Sequence, residues 1–367
     1  MKVDLTKVQE IKNTLHKNLA EMETFSQCVL LDYPFHPNIG DQLIGLGEIY
    51  YFNNILKTQI TYIADCQNFS PEMMQKHSAD CPIILQGGGN LGDIWHHYQR
   101  FKESIIKGYP NQPIIILPQT IYFRDAKKLD RAKKIFNSHG NLTIFVRDKY
   151  SYELGKDYFD NCKIILCPDM AFQLLGSPGF DFEVKKKDSV LYFKRTDAEL
   201  NKNASLGLPI DFDYITEDWV SYQKTWRFGN SRNQLKMQFI KLYREIIQRG
   251  LLTPQEFLPR RQWIENQIEI NNLSYLPPQS LDLVRLSLSL TYSGIRQLKS
   301  HRLVISTRLH GHILCLLLGI PNIFLSNSYY KNQSFYEAWT HDVPFSKFVQ
   351  DVSEVPEAIE NLSKFMF

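Results

Sequence analysis

The chain has 367 residues, of which 43% are hydrophobic and 22% charged, and it contains 18 Gly and 17 Pro. These values are typical of soluble globular proteins, so they exclude a small disulfide-stapled scaffold, a disordered chain and a fibrous repeat. The length suits two domains or one large domain. The net charge of +3 is too small, and its charges too scattered, to indicate a nucleic-acid partner.

The cysteine usage and the N-terminus bear on the compartment. The six cysteines lie mostly among apolar residues and form no CxxC pair, which indicates buried free thiols in a reducing compartment and argues against zinc. The N-terminus lacks the apolar core and small-residue cleavage site of a secretory signal, and no run reaches the ~18–20 apolar residues that span a bilayer. We therefore expect a cytoplasmic protein, which could sit at the inner face of the membrane.

The first half of the chain alternates short apolar runs with helical patterns. Leu5 to Met22 carries apolar residues at helical spacing, which predicts an opening helix. Strands are predicted over 28–32, 60–64, 82–85, 113–117, 143–146 and 163–167, with helices at roughly 41–56, 92–108, 126–138 and 148–157. Because the runs show no alternation between apolar and polar residues, we expect strands covered on both faces in a doubly wound parallel sheet.

The second half is less regular. A charged break at 177–188 indicates an interdomain linker. Strands are then predicted at 190–193, 303–306 and 322–325, and helices at 231–249, 281–299 and 309–318, whereas 250–280 shows no clear pattern. We therefore predict two α/β domains, 1–178 and 189–345, followed by a tail helix within 346–367 that could pack back on the first domain.

Ligands of open α/β sheets bind beyond the carboxyl ends of the strands, so the residues there are candidates for a site. After the first strand, Asp41 could cap a helix or present a carboxylate to a ligand hydroxyl. After the third, Gln86–His97 contains three consecutive glycines that could let backbone N–H groups approach a ligand, or could form only a tight turn. Trp95 in this segment could stack on a sugar ring or belong to the core.

Charged residues follow other predicted strands. We expect Arg147 and Asp169 to pair with each other or with a helix end, in a structural role. Arg195 follows the strand at 190–193, where a guanidinium can bind a phosphate or carboxylate through two hydrogen bonds. The alternative for Arg195 is an exposed ion pair with Asp197 or Glu199.

The densest motif is Arg308-Leu-His-Gly-His312, at a predicted turn from strand to helix. A helix N-terminus attracts anions, Arg308 can bind them, and the imidazole of His310 can act as general acid or base. A buried structural histidine is the alternative for His310, and we predict that role for His312.

Taken in order, these motifs resemble the polysaccharide pyruvyl transferase family. The resemblance rests on Gly40-Asp41, Gly87–Asp93, Pro118–Phe123, Arg147-Asp148, Pro168-Asp169, Lys194–Asp197, Arg308–His312, Gly319–Pro321 and Asn327–Asn332. The chain departs from the family at Thr307, where an Asp often precedes the arginine, so no role of such an Asp is carried over.

The resemblance implies two Rossmann-like domains that face each other across a cleft, similar to GT-B glycosyltransferases. It also implies phosphoenolpyruvate as donor and two hydroxyls of a saccharide as acceptor, giving a cyclic pyruvate ketal and phosphate. Neither a metal nor an organic cofactor is required. The acceptor could be free, nucleotide-linked or lipid-linked, and the sequence indicates no oligomeric state.

The residues are assigned to three groups. His310 is the expected general acid, and Asp41 and Asp93 are expected to bind the acceptor or act as base. The donor-binding residues are Arg195, Arg308, Lys331, Leu309 and Gly311. The acceptor-binding residues are Gly88, Gly89, Asn90, Trp95 and Gln119. Two other functions would use the same cleft: a glycosyltransferase that takes a nucleotide sugar, and a carbohydrate-binding protein without activity.

Overall fold

The computed structural model describes residues 3–78, 80–197, 199–201, 207–221 and 254–366. In these residues the chain forms two wholly parallel β-sheets, one of seven strands and one of five, with helices packed around them. This is a mixed α/β fold of the Rossmann-like kind, as predicted. Whether the two sheets form a GT-B arrangement stays a prediction.

The first sheet is built by the first half of the chain. Its strands are β1 Gln27–Leu31, β2 Gln59–Ala64, β3 Ile83–Leu85, β4 Gly88–Gly92, β5 Ile114–Tyr122, β6 Leu142–Val146 and β7 Lys163–Leu166. The helices are α1 Thr6–Leu19, α2 Ile39–Tyr50, α3 Pro71–Ser78, α4 His96–Gly108, α5 Ala126–Phe136 and α6 Lys149–Tyr158. The strand order is β2-β1-β3-β5-β6-β7, with β4 paired to β5.

The burial of β1 shows why the apolar runs do not alternate. Cys28 and Leu30 face one apolar cluster, and Val29 and Leu31 face another on the opposite side of the sheet. Both faces of the strand are therefore covered, as expected for a parallel sheet between two layers of helices.

The second sheet is built by the second half. Its strands are β8 Val190–Phe193, β9 Tyr214–Glu217, β10 Leu303–Ser306, β11 Asn322–Leu325 and β12 Ser346–Val349. Its helices are α7 Pro254–Ile270, α8 Pro278–Lys299, α9 Leu309–Leu318, α10 Lys331–Phe335 and α11 Val355–Leu362. The strand order is β12-β11-β10-β8-β9. Within the described residues, no helix is both long and apolar enough to cross a membrane.

Three strands were not predicted, namely β4, β9 and β12. β4 was not recognised because its sequence, Gly-Gly-Asn-Leu-Gly, has almost no apolar residues. It pairs along β5 so closely that a Cβ atom on Gly92, where φ is +142°, would lie 1.8 Å from the carbonyl oxygen of Tyr122. The following helix therefore begins at His96 and not at residue 92.

The segment without a clear pattern contains α7, which packs against the first half of the chain. The Tyr50 hydroxyl donates a hydrogen bond to Gln267 (3.0 Å), and the Trp263 indole N–H donates to the carbonyl of Gly179 (2.6 Å). α8 packs on α2, and the Tyr33 hydroxyl donates to Ser287 (2.9 Å). Residues 254–299 thus join the two halves. The helix predicted at 231–249 lies outside the described residues.

The C-terminal tail packs on the second sheet. Residues 346–349 form β12, an edge strand of the second sheet. α11 then packs on this same sheet, because the buried Val355 and Leu362 share an apolar cluster with Ile305 and Ile323. The tail therefore completes the second sheet, and packing of the tail on the first domain stays a prediction.

Candidate active site

A cavity of about 400 Å³ lies between the two halves and is lined by residues of both. From the first half it takes His36, Pro37, Asn38, Asp41, Gly89, Asn90, Trp95, His97, Tyr98 and Arg147. From the second half it takes Arg195, Thr196, Asp197, Glu199, Trp219, Arg308, Leu309, His310 and Lys331. Nine of the thirteen residues predicted for the site line this cavity.

The pairing of β8 with β10 brings Arg195 and Arg308 together. Phe193 and Ser306, the last residues of these strands, are register partners. The chain then bonds across the strand ends, since the backbone N–H of Arg195 donates to the Thr307 hydroxyl (2.9 Å). Arg195 and Arg308, each two residues beyond its strand, therefore project beside each other into the cavity, as predicted.

Three carboxylates surround the guanidinium groups of Arg195 and Arg308. Arg195 donates to Asp197 (2.7 and 3.1 Å) and Glu199 (3.0 Å), and Arg308 donates to Asp197 (3.1 Å) and Asp218 (2.7 Å). Arg195 thus forms the ion pairs with Asp197 and Glu199 that were considered as its alternative, but Arg195 and Glu199 are buried and only Asp197 is partly exposed. Asp218 was not anticipated, because only the fold brings it to Arg308.

Lys331 adds a third cation from the first turn of α10. Its ammonium donates to Glu199, and both side chains are buried. Burial lowers the pKa of Lys331 to about 8, although Glu199 opposes this shift. Burial by itself would raise the pKa of Glu199, but Arg195 and Lys331 hold it well below its usual range.

His310 lies in the first turn of α9 and is held from two sides. Its Nε2 atom is 3.3 Å from the Asp169 carboxylate, which also accepts a hydrogen bond from Arg147 (2.5 Å). On the other side, a Cβ atom added to Gly40 would lie 2.5 Å from the ring. The predicted pairing of Arg147 with Asp169 is therefore confirmed.

The ion pair between Arg147 and Asp169 lies at the edge of the cavity and is not confined to the core. Arg147 lines the cavity, and Asp169 reaches His310 directly. Burial would raise the pKa of Asp169, but His310 and Arg147 lower it below its usual range, so the carboxylate stays charged. Arg147 follows β6 and Asp169 follows β7, and these positions at strand ends indicated a place in the site. The sequence analysis assigned both residues a structural role only.

Asp41 presents its carboxylate to the cavity from the opposite wall. α2 is capped by the side chain of Asn38, which accepts from the backbone N–H of Gly40 (3.1 Å), so the capping role considered for Asp41 is wrong. The Asp41 carboxylate instead accepts from the Asn38 amide (2.7 Å) and lies 3.5 Å from the His36 ring.

Asn90 is fixed from behind by a buried polar network. Its side-chain oxygen accepts from Lys102 (2.7 Å) and Gln119 (3.0 Å), and Lys102 forms a buried ion pair with Asp32. Gln119 therefore positions Asn90 and does not line the cavity itself, which corrects its assignment as an acceptor ligand. The amide N–H₂ of Asn90 donates to Asp32 (3.4 Å).

Asp93 also lies away from the cavity. Its carboxylate accepts from the backbone N–H groups of Arg124 (2.9 Å) and Asp125 (2.8 Å), and it borders a separate small cavity between α4 and α5. The cause is the unpredicted strand β4, which carries residue 93 to the end of β5 and turns its side chain toward α5. The expectation that Asp93 faces the acceptor is therefore wrong.

Two of the predicted glycines serve packing. A Cβ atom on Gly311 would lie 2.5 Å from the Ser306 hydroxyl, so this glycine lets α9 approach the sheet and does not line the cavity. Gly88 has a φ of +122° and faces Ile44, whereas Gly89 lines the cavity. His312 is buried, as predicted, with hydrogen bonds to Asn322 (2.7 Å) and Thr340 (3.0 Å).

An aromatic surface beside Asp41 was missed. The rings of His97 and Tyr98 lie 3.8 Å apart, and Tyr98 meets His36 edge-on at 5.9 Å. These three residues and Trp95 line the first-half side of the cavity. Aromatic rings with nearby polar groups suit the apolar faces and hydroxyls of a sugar. The signal was the aromatic cluster 95–98, of which only Trp95 was chosen.

Known proteins resemble this chain over nearly its whole length. EpsO of Bacillus subtilis (strain 168) is 31% identical over 331 residues, which cover 90% of each chain. Pyruvyl transferase 1 of Schizosaccharomyces pombe is 25% identical, over 92% of this chain and 75% of its own. The crystal structure of an uncharacterized protein from Klebsiella pneumoniae shares the fold, with a TM-score of 0.53 and 19% identity over 94% and 96% of the two chains.

The family assignment rests on the sequence match. The sequence model of the polysaccharide pyruvyl transferases matches residues 38–329, which include His310, the three arginines of the cavity and all of its first-half wall except His36 and Pro37. The chain therefore belongs to the polysaccharide pyruvyl transferase family.

Proposed function

We propose that this protein transfers the pyruvyl group of phosphoenolpyruvate to two hydroxyls of a saccharide, forming a cyclic ketal and phosphate. One observation carries the proposal: Arg195, Arg308, Lys331 and His310 line one wall of a single cavity, and the carboxylate and aromatic rings around Asp41 line the opposite wall. An anionic donor and a polyhydroxyl acceptor would meet between them.

The cationic wall suits the donor. Phosphoenolpyruvate carries a carboxylate and a phosphate, and guanidinium groups bind either through two parallel hydrogen bonds. Arg308 is the N-cap residue of α9, and Arg195 lies beside it. The backbone N–H groups of this helix end add positive potential. Lys331 supplies a third cation from α10.

The proposed reaction balances through three proton transfers. The His310 imidazolium gives a proton to the donor methylene, which becomes a methyl group, while the first sugar hydroxyl bonds to the central carbon and gives its proton to Asp41. The second hydroxyl then displaces phosphate from that carbon and closes the ketal ring, and its proton leaves with the phosphate as hydrogen phosphate. The cations stabilise the phosphate as it leaves, and the proton on Asp41 returns to His310 through solvent.

Asp169 is a positioning residue in this scheme. Its carboxylate contacts His310 at 3.3 Å and is itself fixed by Arg147 and by the backbone N–H of Ala171 (2.9 Å). A hydrogen-bonded carboxylate behind a catalytic histidine fixes the orientation of the ring.

The proposed setting is the cytoplasm, with the two sheets acting as the facing domains of a GT-B-type enzyme. All six cysteines are free thiols in the structure, which fits a reducing compartment.

The test is phosphate release from phosphoenolpyruvate with a panel of galactosides, glucosides and mannosides, with product masses determined. We expect phosphate release that depends on one class of acceptor and a product that gains a pyruvyl ketal. The same panel with nucleotide sugars is the comparison. Sugar transfer from a nucleotide sugar, or release of nothing from any donor while saccharide still binds, would overturn the proposal.

A further inference from the structure

The arginines that would hold the donor already share one carboxylate. Asp197 faces Arg195 with both oxygens, accepting from Nε (2.7 Å) and Nη2 (3.1 Å). Its Oδ2 atom also accepts from Nη2 of Arg308 (3.1 Å). This is the side-by-side geometry with which an arginine binds any carboxylate, and here it bridges two arginines.

The other two carboxylates at these arginines are built in more firmly. Asp218 accepts from the backbone N–H of Trp219 (2.8 Å) and Thr196 (3.1 Å) as well as from Arg308, and Glu199 is shared with Lys331. Both side chains are 5% exposed, whereas that of Asp197 is 27% exposed. Asp197 and Glu199 line the cavity, and Asp218 lies behind them. Each arginine thus keeps a buried partner if Asp197 moves.

The charges of the two arginines and Lys331 are balanced only if Asp197 is counted. Arg195, Arg308 and Lys331 face three carboxylates, those of Asp197, Glu199 and Asp218. Burying cations without partners is costly, so the wall is stable as a balanced set. An incoming donor would add negative charge at the arginines. Positive and negative charges there stay balanced if one of the protein's own carboxylates moves away.

We propose that Asp197 occupies the position of the donor's carboxylate between Arg195 and Arg308, and that the donor binds by displacing it. This inference rests on the proposed function for the identity of the donor. Asp197 is then an internal competitor: it keeps the arginines paired and aligned, and it sets how tightly an anion must bind to enter. The backbone N–H of Glu199, which donates to Asp197 (3.1 Å), fixes the competing position.

The test is the affinity of the full-length protein for simple anions, measured by titration calorimetry with pyruvate, inorganic phosphate and phosphoenolpyruvate. Asp197→Asn keeps an acceptor for Arg195 and for the Glu199 N–H but removes the competing charge. If the site is open only about a tenth of the time, the Kd for pyruvate falls about tenfold in this variant. Unchanged or weaker pyruvate binding would overturn the proposal, because Asp197 would then serve only to position the arginines.

Asp218→Asn is the matched control, since it removes one negative charge from the same arginine. We expect this variant to bind pyruvate more weakly, because Asp218 holds Arg308 in place. Equal tightening in both variants would reveal a general charge effect and overturn displacement. Tightening for phosphate but not for pyruvate would overturn the assignment to the donor's carboxylate.

A second variant at Asp197 and the absence of turnover from the titrations allow each outcome to be assigned to one cause. Asp197→Ser, which retains a small acceptor, replaces the Asn variant if that variant does not fold, and the same tightening is expected. Because the titrations need neither acceptor nor turnover, anion displacement can fail while ketal formation holds, and the reverse.

Discussion

His310 is the residue on which the proposed chemistry most depends. His310→Gln keeps a hydrogen-bonding side chain of similar length but cannot deliver a proton at neutral pH, so we expect turnover to fall by about 10²–10⁴-fold while donor affinity is retained. Phosphate release measures turnover, and calorimetric titration measures affinity. His96→Gln is the control, since His96 is exposed and lies outside the main cavity. Near-normal turnover of a folded Gln variant would exclude His310 from proton transfer.

Asp41 and Asp93 are two carboxylates that the fold places differently. Asp41→Asn should lower turnover at subsaturating acceptor by at least about tenfold, because Asp41 faces the cavity, while donor binding is largely spared. Asp93→Asn should leave turnover per folded molecule near that of the unaltered protein, because Asp93 faces α5. Acceptor saturation curves for the two variants, with folding checked by circular dichroism, measure the difference. If Asp93→Asn lowered turnover more than Asp41→Asn, the acceptor would not bind at the wall that carries Asp41.

If the donor binds at Lys331 as proposed, we expect its affinity to depend on pH. Because burial lowers its pKa to about 8, the ammonium is charged at pH 7 and mostly neutral at pH 9. An anionic donor prefers the charged form, so its affinity is present below pH 8 and is lost as the pH rises above it, by about tenfold between pH 7 and pH 9. Titration of donor binding across this range measures the effect. Lys331→Gln should bind more weakly with a flatter profile, and an equally steep profile in that variant would assign the titration to another group.

At the scale of elements, the first turns of α2 and α9 meet at His310. Gly40 begins the contact, because any Cβ there would lie within 2.8 Å of three atoms of His310. Gly40→Ala must therefore displace the ring from its position beside Asp169, and we expect turnover to fall by about tenfold or more, with an overpacking cost of ~1–3 kcal/mol. Steady-state kinetics and thermal unfolding separate the two effects.

Gly108→Ala is the matched control, since a Cβ at Gly108 meets nothing within 4 Å. This variant should keep both turnover and stability. Unaltered turnover in Gly40→Ala would show that the two first turns have room to move and that the position of His310 is not set by this contact.

At the scale of the whole molecule, the two sheets share a core. One apolar cluster contains Ile44 of α2, Val284 of α8 and Val304 of β10, so the burial of each half depends on the other. We therefore expect one cooperative unfolding transition, with equal calorimetric and van't Hoff enthalpies. Differential scanning calorimetry measures this directly. Two resolved transitions would show that the halves unfold as independent domains.

A variant at the junction of the halves sharpens this prediction. A Cβ on Gly294 of α8 would lie 2.7 Å from Ile39 of α2. Gly294→Ala should therefore lower the midpoint of the entire transition, since overpacking typically costs ~1–3 kcal/mol. A shift confined to part of the transition would contradict a shared core.

The sequence by itself determined the parallel sheets and the principal cations of the site. Strands buried on both faces must be apolar at successive positions, so runs such as Ile114–Leu117 could be recognised without the fold. Polar residues directly after such runs must lie at one edge of a sheet, which is why Arg195, Arg308 and His310 could be chosen. Local order along the chain sufficed for these inferences.

Only the tertiary structure decided which partners these residues have. Asp218, Asp169 and Arg147 reach the site from separate strands, and no local pattern specifies that Asp218 meets Arg308 or that Asp169 meets His310. Asp93 was misplaced for the same reason: β4 has too few apolar residues to be seen in the sequence and forms because β5 supplies its hydrogen bonds. Contacts between distant segments depend on how elements pack, and packing is a property of the folded chain.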